Sequence, residues 1–89
     1  MIRKNIVIQN VLGLHARSAN CLAQAASKFS SDIYLINPLS NTTANAKSVI
    51  NLLMLSASKG TLLELTVCGN DCEEAFSTIE KLVNSGFGE

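Results

Sequence analysis

The only histidine of the chain, His15, stands in the segment Gly13-Leu-His-Ala-Arg17, between a glycine and an arginine. A neutral imidazole is a competent nucleophile near neutral pH, whereas a serine or lysine would first need activation. Arg17 adds a permanent charge and a planar fork that matches phosphate oxygens. Gly13 allows a tight turn just before the histidine, leaving the ring exposed. The chemistry these types support together is acceptance of a phosphoryl group on the ring. A plain polar surface histidine is the competing reading of so short a pattern. A metal centre fits poorly, since no second histidine exists and the cysteines lack paired ligand spacing.

Such a group needs an element behind it. In the run Ser18 to Phe29 the apolar residues fall at 22, 25, 26 and 29, the spacing of one helix face, which predicts an amphipathic helix over 17–29. His15 then lies at the helix N-terminus. There the amide N–H groups of Ala16, Arg17 and Ser18 have no intrahelical partner and the dipole is positive, so phosphate oxygens would find donors waiting.

The rest of the chain alternates compactly, with no linker and no internal repeat. Strands are predicted over 2–8, 32–37, 42–46 and 62–68, with Ile33 and Leu35 on one face of the second and Leu63, Leu65 and Val67 on one face of the fourth. Pro38 to Asn41 reads as a turn. Asp71, with Glu74 three residues on, is a candidate cap and capping partner for a last helix. Ala75, Phe76, Ile79, Leu82 and Val83 form its core stripe, and Gly86 stops it. The order is βαββαβα, an α+β fold.

The middle helix, 49–55, is apolar at every position but Asn51, and helix geometry cannot point all of those side chains inward. Some must face solvent, and a contiguous exposed apolar patch in a small domain marks a docking surface. Full burial between the sheet and a loop is the plainer alternative. Ser48, just before this helix, is a natural N-cap. A phosphate on it would place roughly −1.5 to −2 charges at the rim of the patch and block docking without unfolding the domain.

Composition bounds the function. Eighty-nine residues make one domain, 1–89, which buries roughly 60–65% of its unfolded surface and has no room for a deep enclosed active site. Seven basic and seven acidic residues cancel, and aromatic residues make up 4% of the chain, which argues against nucleic acid and for small-protein partners. No run approaches membrane-spanning length, and the N-terminus lacks a signal-like apolar core, so a cytoplasmic protein is expected. Cys21, Cys68 and Cys72 are an odd set, as expected of reduced thiols.

Gly13 to Arg17, the Ala46-Lys-Ser48 segment before the apolar helix, Lys59-Gly60, and the stretch from Gly69-Asn-Asp71 to Phe87 together resemble the HPr phosphocarriers of the bacterial phosphoenolpyruvate phosphotransferase system. The resemblance covers essentially the whole chain in order. The stretch Ser48 to Gly60 and the ending Asn84-Ser-Gly-Phe87 look closer to the nitrogen-related NPr branch. It implies an open-faced β-sandwich, a four-stranded antiparallel sheet with three helices on one face. It also implies a phosphoryl carrier that needs no bound cofactor. Enzyme I, nitrogen-type here, would phosphorylate Nδ1 of His15 at the expense of phosphoenolpyruvate, and the phosphate would pass to a histidine of an EIIA-type protein. Arg17 matches the family's phosphate-side arginine, and Ala16, Asn20, Val49, Ile50 and Leu53 match its docking surface.

Two departures qualify the match. Most family members carry proline directly after the arginine, where this chain has Ser18, which restores a donor, adds a hydroxyl and is expected to loosen the turn. In many members a bifunctional serine kinase/phosphorylase modifies the serine matching Ser48. Its usual target continues with Met-Gly where this chain has Ile50-Asn51-Leu52. A regulatory binding module that docks through 49–55, switched by phosphorylation of His15 or Ser48 without onward transfer, is the alternative function. A pocket enzyme is the weakest reading, since no general acid/base pair accompanies the single histidine. Small size and an exposed functional patch favour a monomer.

Overall fold

The computed structural model describes residues 1–89. Its elements are β1 (Ile2–Val7), α1 (Ala16–Ala26), β2 (Asp32–Asn37), β3 (Thr42–Asn45), α2 (Val49–Met54), β4 (Leu62–Cys68) and α3 (Cys72–Asn84), followed by a 3-10 turn at Gly86–Gly88. The strands form one antiparallel sheet in the order β1-β4-β2-β3, so the last strand inserts between the first two. The register sets Ile6 opposite Leu63, Ile33 opposite Val67, and Leu35 opposite both Leu65 and Ala44. Period-2 alternation therefore gathers the apolar residues on one face. Leu22 and Ala26 of α1, Leu52 of α2 and Ile79 and Val83 of α3 close over that face in one core of 20 buried residues. Arg3, Asn5 and Tyr34 stay exposed on the other face, the open side of the sandwich.

Helix α1 is shorter than the expected 17–29. It begins at Ala16 and ends at Ala26, with Ser27 as its C-cap. The chain is drawn out of the helix by two tertiary contacts: Lys47 Nζ donates to the Phe29 carbonyl at 2.8 Å, and the Ser30 and Ser31 amides donate to Asp71. Phe29 still packs against the core, which is why the apolar spacing runs on past the true end.

That use of Asp71 also corrects the expected capping box. Asp71 occupies the N-cap position of α3, yet its side chain makes no cap hydrogen bond and the pairing with Glu74 does not form. Its carboxylate instead accepts from the Ser30 and Ser31 N–H groups, each at 2.9 Å, and from the Ser31 hydroxyl. The Ser31 hydroxyl, then the Ser30 amide, are the largest causes that hold its carboxyl at about 2, below the ordinary 3.8. One side chain thus ties the α1–β2 loop to the start of α3 instead of serving its own helix.

Helix α2 divides as its composition demands. Leu52 and the C-cap Leu55 are buried and Val49 packs against the core, whereas Ile50 is 72% exposed, Met54 66% and Leu53 40%. Ser48 caps the helix, its Oγ accepting from the Asn51 N–H at 3.2 Å. At the end of α3, Gly86 adopts φ +67° after the C-cap Ser85, and left-handed Phe87 and Gly88 continue the turn. This curl returns the end of the chain to the loop before α1.

Candidate functional site

The loop from Asn10 to Leu14 sets the histidine. Gly13 has φ +68°, and a Cβ there would clash with the Ala57 carbonyl and lie 2.8 Å from Ser58 Cα, so both conformation and space require glycine. The Leu14 N–H donates to the Ala57 carbonyl at 2.8 Å, anchoring the loop to the segment after α2. Leu14 is buried, and the next residue, His15, emerges as the N-cap of α1 with extended backbone. Its side chain is 30% exposed.

Ala19 is the first residue whose N–H enters the helix, donating to the His15 carbonyl at 2.8 Å. The N–H groups of Ala16, Arg17 and Ser18 precede it and form the donor end of the helix. Ala16 and Arg17 are exposed. Arg17 therefore carries its guanidinium in solvent at the second helical position, free to turn toward an anion at the ring.

Ser18 does the opposite of loosening the turn. It sits at N3, not N1, and is fully buried. Its hydroxyl donates to the Gly13 carbonyl at 2.8 Å and accepts from the His15 N–H at 3.0 Å. The His15 ring faces the Ser18 N–H in a capping-box arrangement. The hydroxyl is thus committed inward, and only the amide of Ser18 is turned to the ring.

Two residues that sequence reasoning missed complete the site. Glu89 Oε2 lies 2.7 Å from His15 Nε2, and Glu89 Oε1 accepts from Asn10 Nδ2 at 2.9 Å. The same Asn10 nitrogen donates to the Gly13 carbonyl at 2.7 Å. The Asn10 bond, the His15 bond and the nearby Arg17 charge hold the Glu89 carboxyl below the usual carboxylate range, against the opposing effect of burial. No spacing pattern signals either residue, because they meet His15 only when the 3-10 turn folds back.

Helices α1 and α2 pack against each other. Asn20 is exposed on α1, and Ile50, Leu53 and Met54 are exposed on α2, with Val49 and Ser48 half-buried. Val11 and Leu12, in the loop before His15, are 79% and 68% exposed and add apolar surface that helical periodicity could not indicate. All three cysteines are free thiols, Cys68 exposed and Cys21 and Cys72 half-buried.

An α+β open-faced sandwich that displays its one histidine at a helix N-terminus, on the surface and not in a cleft, defines a surface-acting class of small protein. The family described as "PTS HPr component phosphorylation site" matches residues 2–85. The Phosphocarrier protein HPr of Neisseria meningitidis serogroup B is 42% identical over 89 residues, covering 100% of this chain and 98% of the relative. The Phosphocarrier protein NPr of Escherichia coli K12 is 40% identical over 88 residues, 99% of this chain and 97% of the relative. Among solved structures, HPr of Thermoanaerobacter tengcongensis superposes with a TM-score of 0.93 at 42% identity, covering 100% of this chain and 98% of that one. The chain belongs to the HPr family of phosphocarriers of the phosphotransferase system. No helix is long and apolar enough to cross a membrane.

Proposed function

We propose that His15 is the residue that carries the phosphoryl group. The observation that supports this most directly is the placement of its partly exposed ring at the N-cap of α1, beside the first-turn amides and Arg17. Nδ1 attacks phosphorus, the bond between phosphorus and the donor breaks, and the phosphate oxygens are met by the N–H groups of Ala16, Arg17 and Ser18 and by the Arg17 guanidinium. Onward transfer reverses these roles. The protein itself is a stoichiometric intermediate in the cytoplasm.

In this reading the donor is Enzyme I of the nitrogen type and the acceptor a histidine of an EIIA-type protein. Asn20, Val49, Ile50 and Leu53 form the docking surface. The resemblance of Ser48 to Gly60 and of Asn84 to Phe87 to the NPr branch supports the nitrogen type, whereas overall identity to HPr and NPr relatives is nearly equal. Ser48 is the regulatory position: a phosphate on this N-cap would sit at the rim of the exposed Ile50, Leu53 and Met54 surface.

The test is phosphorus NMR of the protein incubated with phosphoenolpyruvate and Enzyme I of the nitrogen type or the sugar type, alongside His15→Ala. An acid-labile phosphohistidine signal absent from the variant is expected. No signal with either enzyme would refute the carrier role of His15. Loss of that signal on adding an EIIA-type acceptor separates a carrier from a binding module that keeps its phosphate.

A further inference from the structure

We propose that Glu89, steadied by Asn10, is a positioning residue for His15: it holds the ring proton on Nε2, presents Nδ1 as the nucleophile, and keeps the phosphorylated ring in its transferable, protonated form. The inference rests on the proposed phosphoryl acceptance at His15 and says which group governs the ring once the phosphate is on it.

The geometry is a three-residue chain. Asn10 is 5% exposed and bridges two acceptors with one nitrogen, the Gly13 carbonyl at 2.7 Å and Glu89 Oε1 at 2.9 Å. Glu89 thereby takes its position from a buried side chain of the histidine loop. The left-handed turn through Gly86, Phe87 and Gly88 delivers it there, with the Glu89 N–H donating to the Gly86 carbonyl at 3.1 Å. An ionised carboxylate offers only acceptors, so its 2.7 Å contact with Nε2 requires the hydrogen on Nε2. Nδ1 is left with its lone pair, on the side of the ring that faces the Ser18 N–H.

The consequence follows from the balance of the transfer. The Nδ1 lone pair forms the N–P bond as the donor–P bond breaks, and the Nε2 proton stays where it was. The ring becomes a cation directly opposite the Glu89 carboxylate. When phosphate is lost, the N–P electron pair returns to the ring. A ring that kept its Nε2 proton leaves as neutral imidazole, whereas one that lost it leaves as imidazolate, a far poorer leaving group. Glu89 contacts the ring from the terminal turn, Arg17 lies two residues beyond the histidine in α1, and α2 carries no ionisable residue. Arg17 opposes a positive ring, which leaves Glu89 as the group that favours the proton.

The test compares the wild-type protein with Glu89→Gln, which keeps size and removes charge. Both are phosphorylated with phosphoenolpyruvate and Enzyme I, freed of enzyme, and followed by phosphorus NMR from pH 5 to pH 9, with circular dichroism melts as a check on folding. At pH 8 the wild type is expected to lose phosphate about two- to fivefold faster than Glu89→Gln, the range for a solvent-screened charge pair. The ratio approaches one at pH 5, where both rings hold the proton. Superimposable profiles, or a constant ratio at every pH, would overturn the positioning role while leaving His15 as acceptor. A wild-type protein that takes no phosphate at all would overturn both readings together.

Discussion

Replacing Ser18 with alanine should destabilise the whole domain, although it removes a single oxygen atom. Ser18 is fully buried, and its hydroxyl both donates to the Gly13 carbonyl and accepts from the His15 N–H. In Ser18→Ala the Gly13 carbonyl keeps its bond from Asn10 Nδ2 at 2.7 Å, so that acceptor remains satisfied. The His15 N–H does not, since no other acceptor is positioned for it. An orphaned donor costs about 1–3 kcal/mol, and partial burial puts this one near 1.5 kcal/mol. At about 4–8 °C per kcal/mol for a domain of this size, Tm falls by roughly 6–12 °C. Urea and thermal unfolding followed by circular dichroism measure it. A Ser18→Ala protein within about 0.5 kcal/mol of the parent would refute the argument that this hydroxyl ties the histidine loop. Ser18→Pro extends the test to function. It loses both hydroxyl bonds and the N–H that faces the His15 ring, but recovers about 0.4–1 kcal/mol through its fixed φ. It is expected to melt between parent and Ser18→Ala and to change the phosphohistidine lifetime, timed by phosphorus NMR; an unchanged lifetime would mean that serine and proline are equivalent for transfer.

Gly13→Ala forces a side chain into left-handed backbone against the Ala57 carbonyl, and a loss of at least about 2 kcal/mol is expected by urea unfolding. Ile50→Asp removes a 72% exposed apolar residue, so stability stays within about 0.5 kcal/mol while KM for phosphorylation by Enzyme I rises about fivefold or more. An unchanged KM would take Ile50 out of the proposed docking surface. Asp71 gives a pH signature: its folded-state carboxyl titrates at about 2, below its ordinary 3.8, so its stabilisation is present above that ordinary value and is lost as pH falls from 3.8 toward 2. Tm measured across that window should fall more steeply for the parent than for Asp71→Asn, and parallel curves would contradict the assignment.

Alternation and helical spacing in the chain were enough to place seven elements in the right order, because each apolar period reports which side of its own element is buried. The sheet order β1-β4-β2-β3 had no such local signature. Element ends were legible only where a local residue decides them, as at Ser48 and Gly86. Where a distant partner decides them they were not: α1 stops early because Lys47 and Asp71 claim the loop beyond it, and Asp71 deserts its own helix for that reason.

The same division runs through the candidate site. His15, Arg17, Gly13 and the first-turn amides of residues 16 to 18 are close in sequence, so their juxtaposition follows from one turn and one helix start, and the chain alone determined it. Ser18 shows the limit of that reasoning. Its type was visible as a departure from the family's proline, but whether the hydroxyl loosens or ties the loop depends on the Gly13 carbonyl and the His15 amide arriving within hydrogen-bond reach. Asn10 and Glu89 lie 79 positions apart and meet beside the ring only because three successive left-handed residues turn the end of the chain back onto the loop. Sequence by itself determined the candidate nucleophile and its helix; the tertiary structure decided what surrounds that histidine, since contacts between distant residues depend on where the packed core puts the elements that carry them.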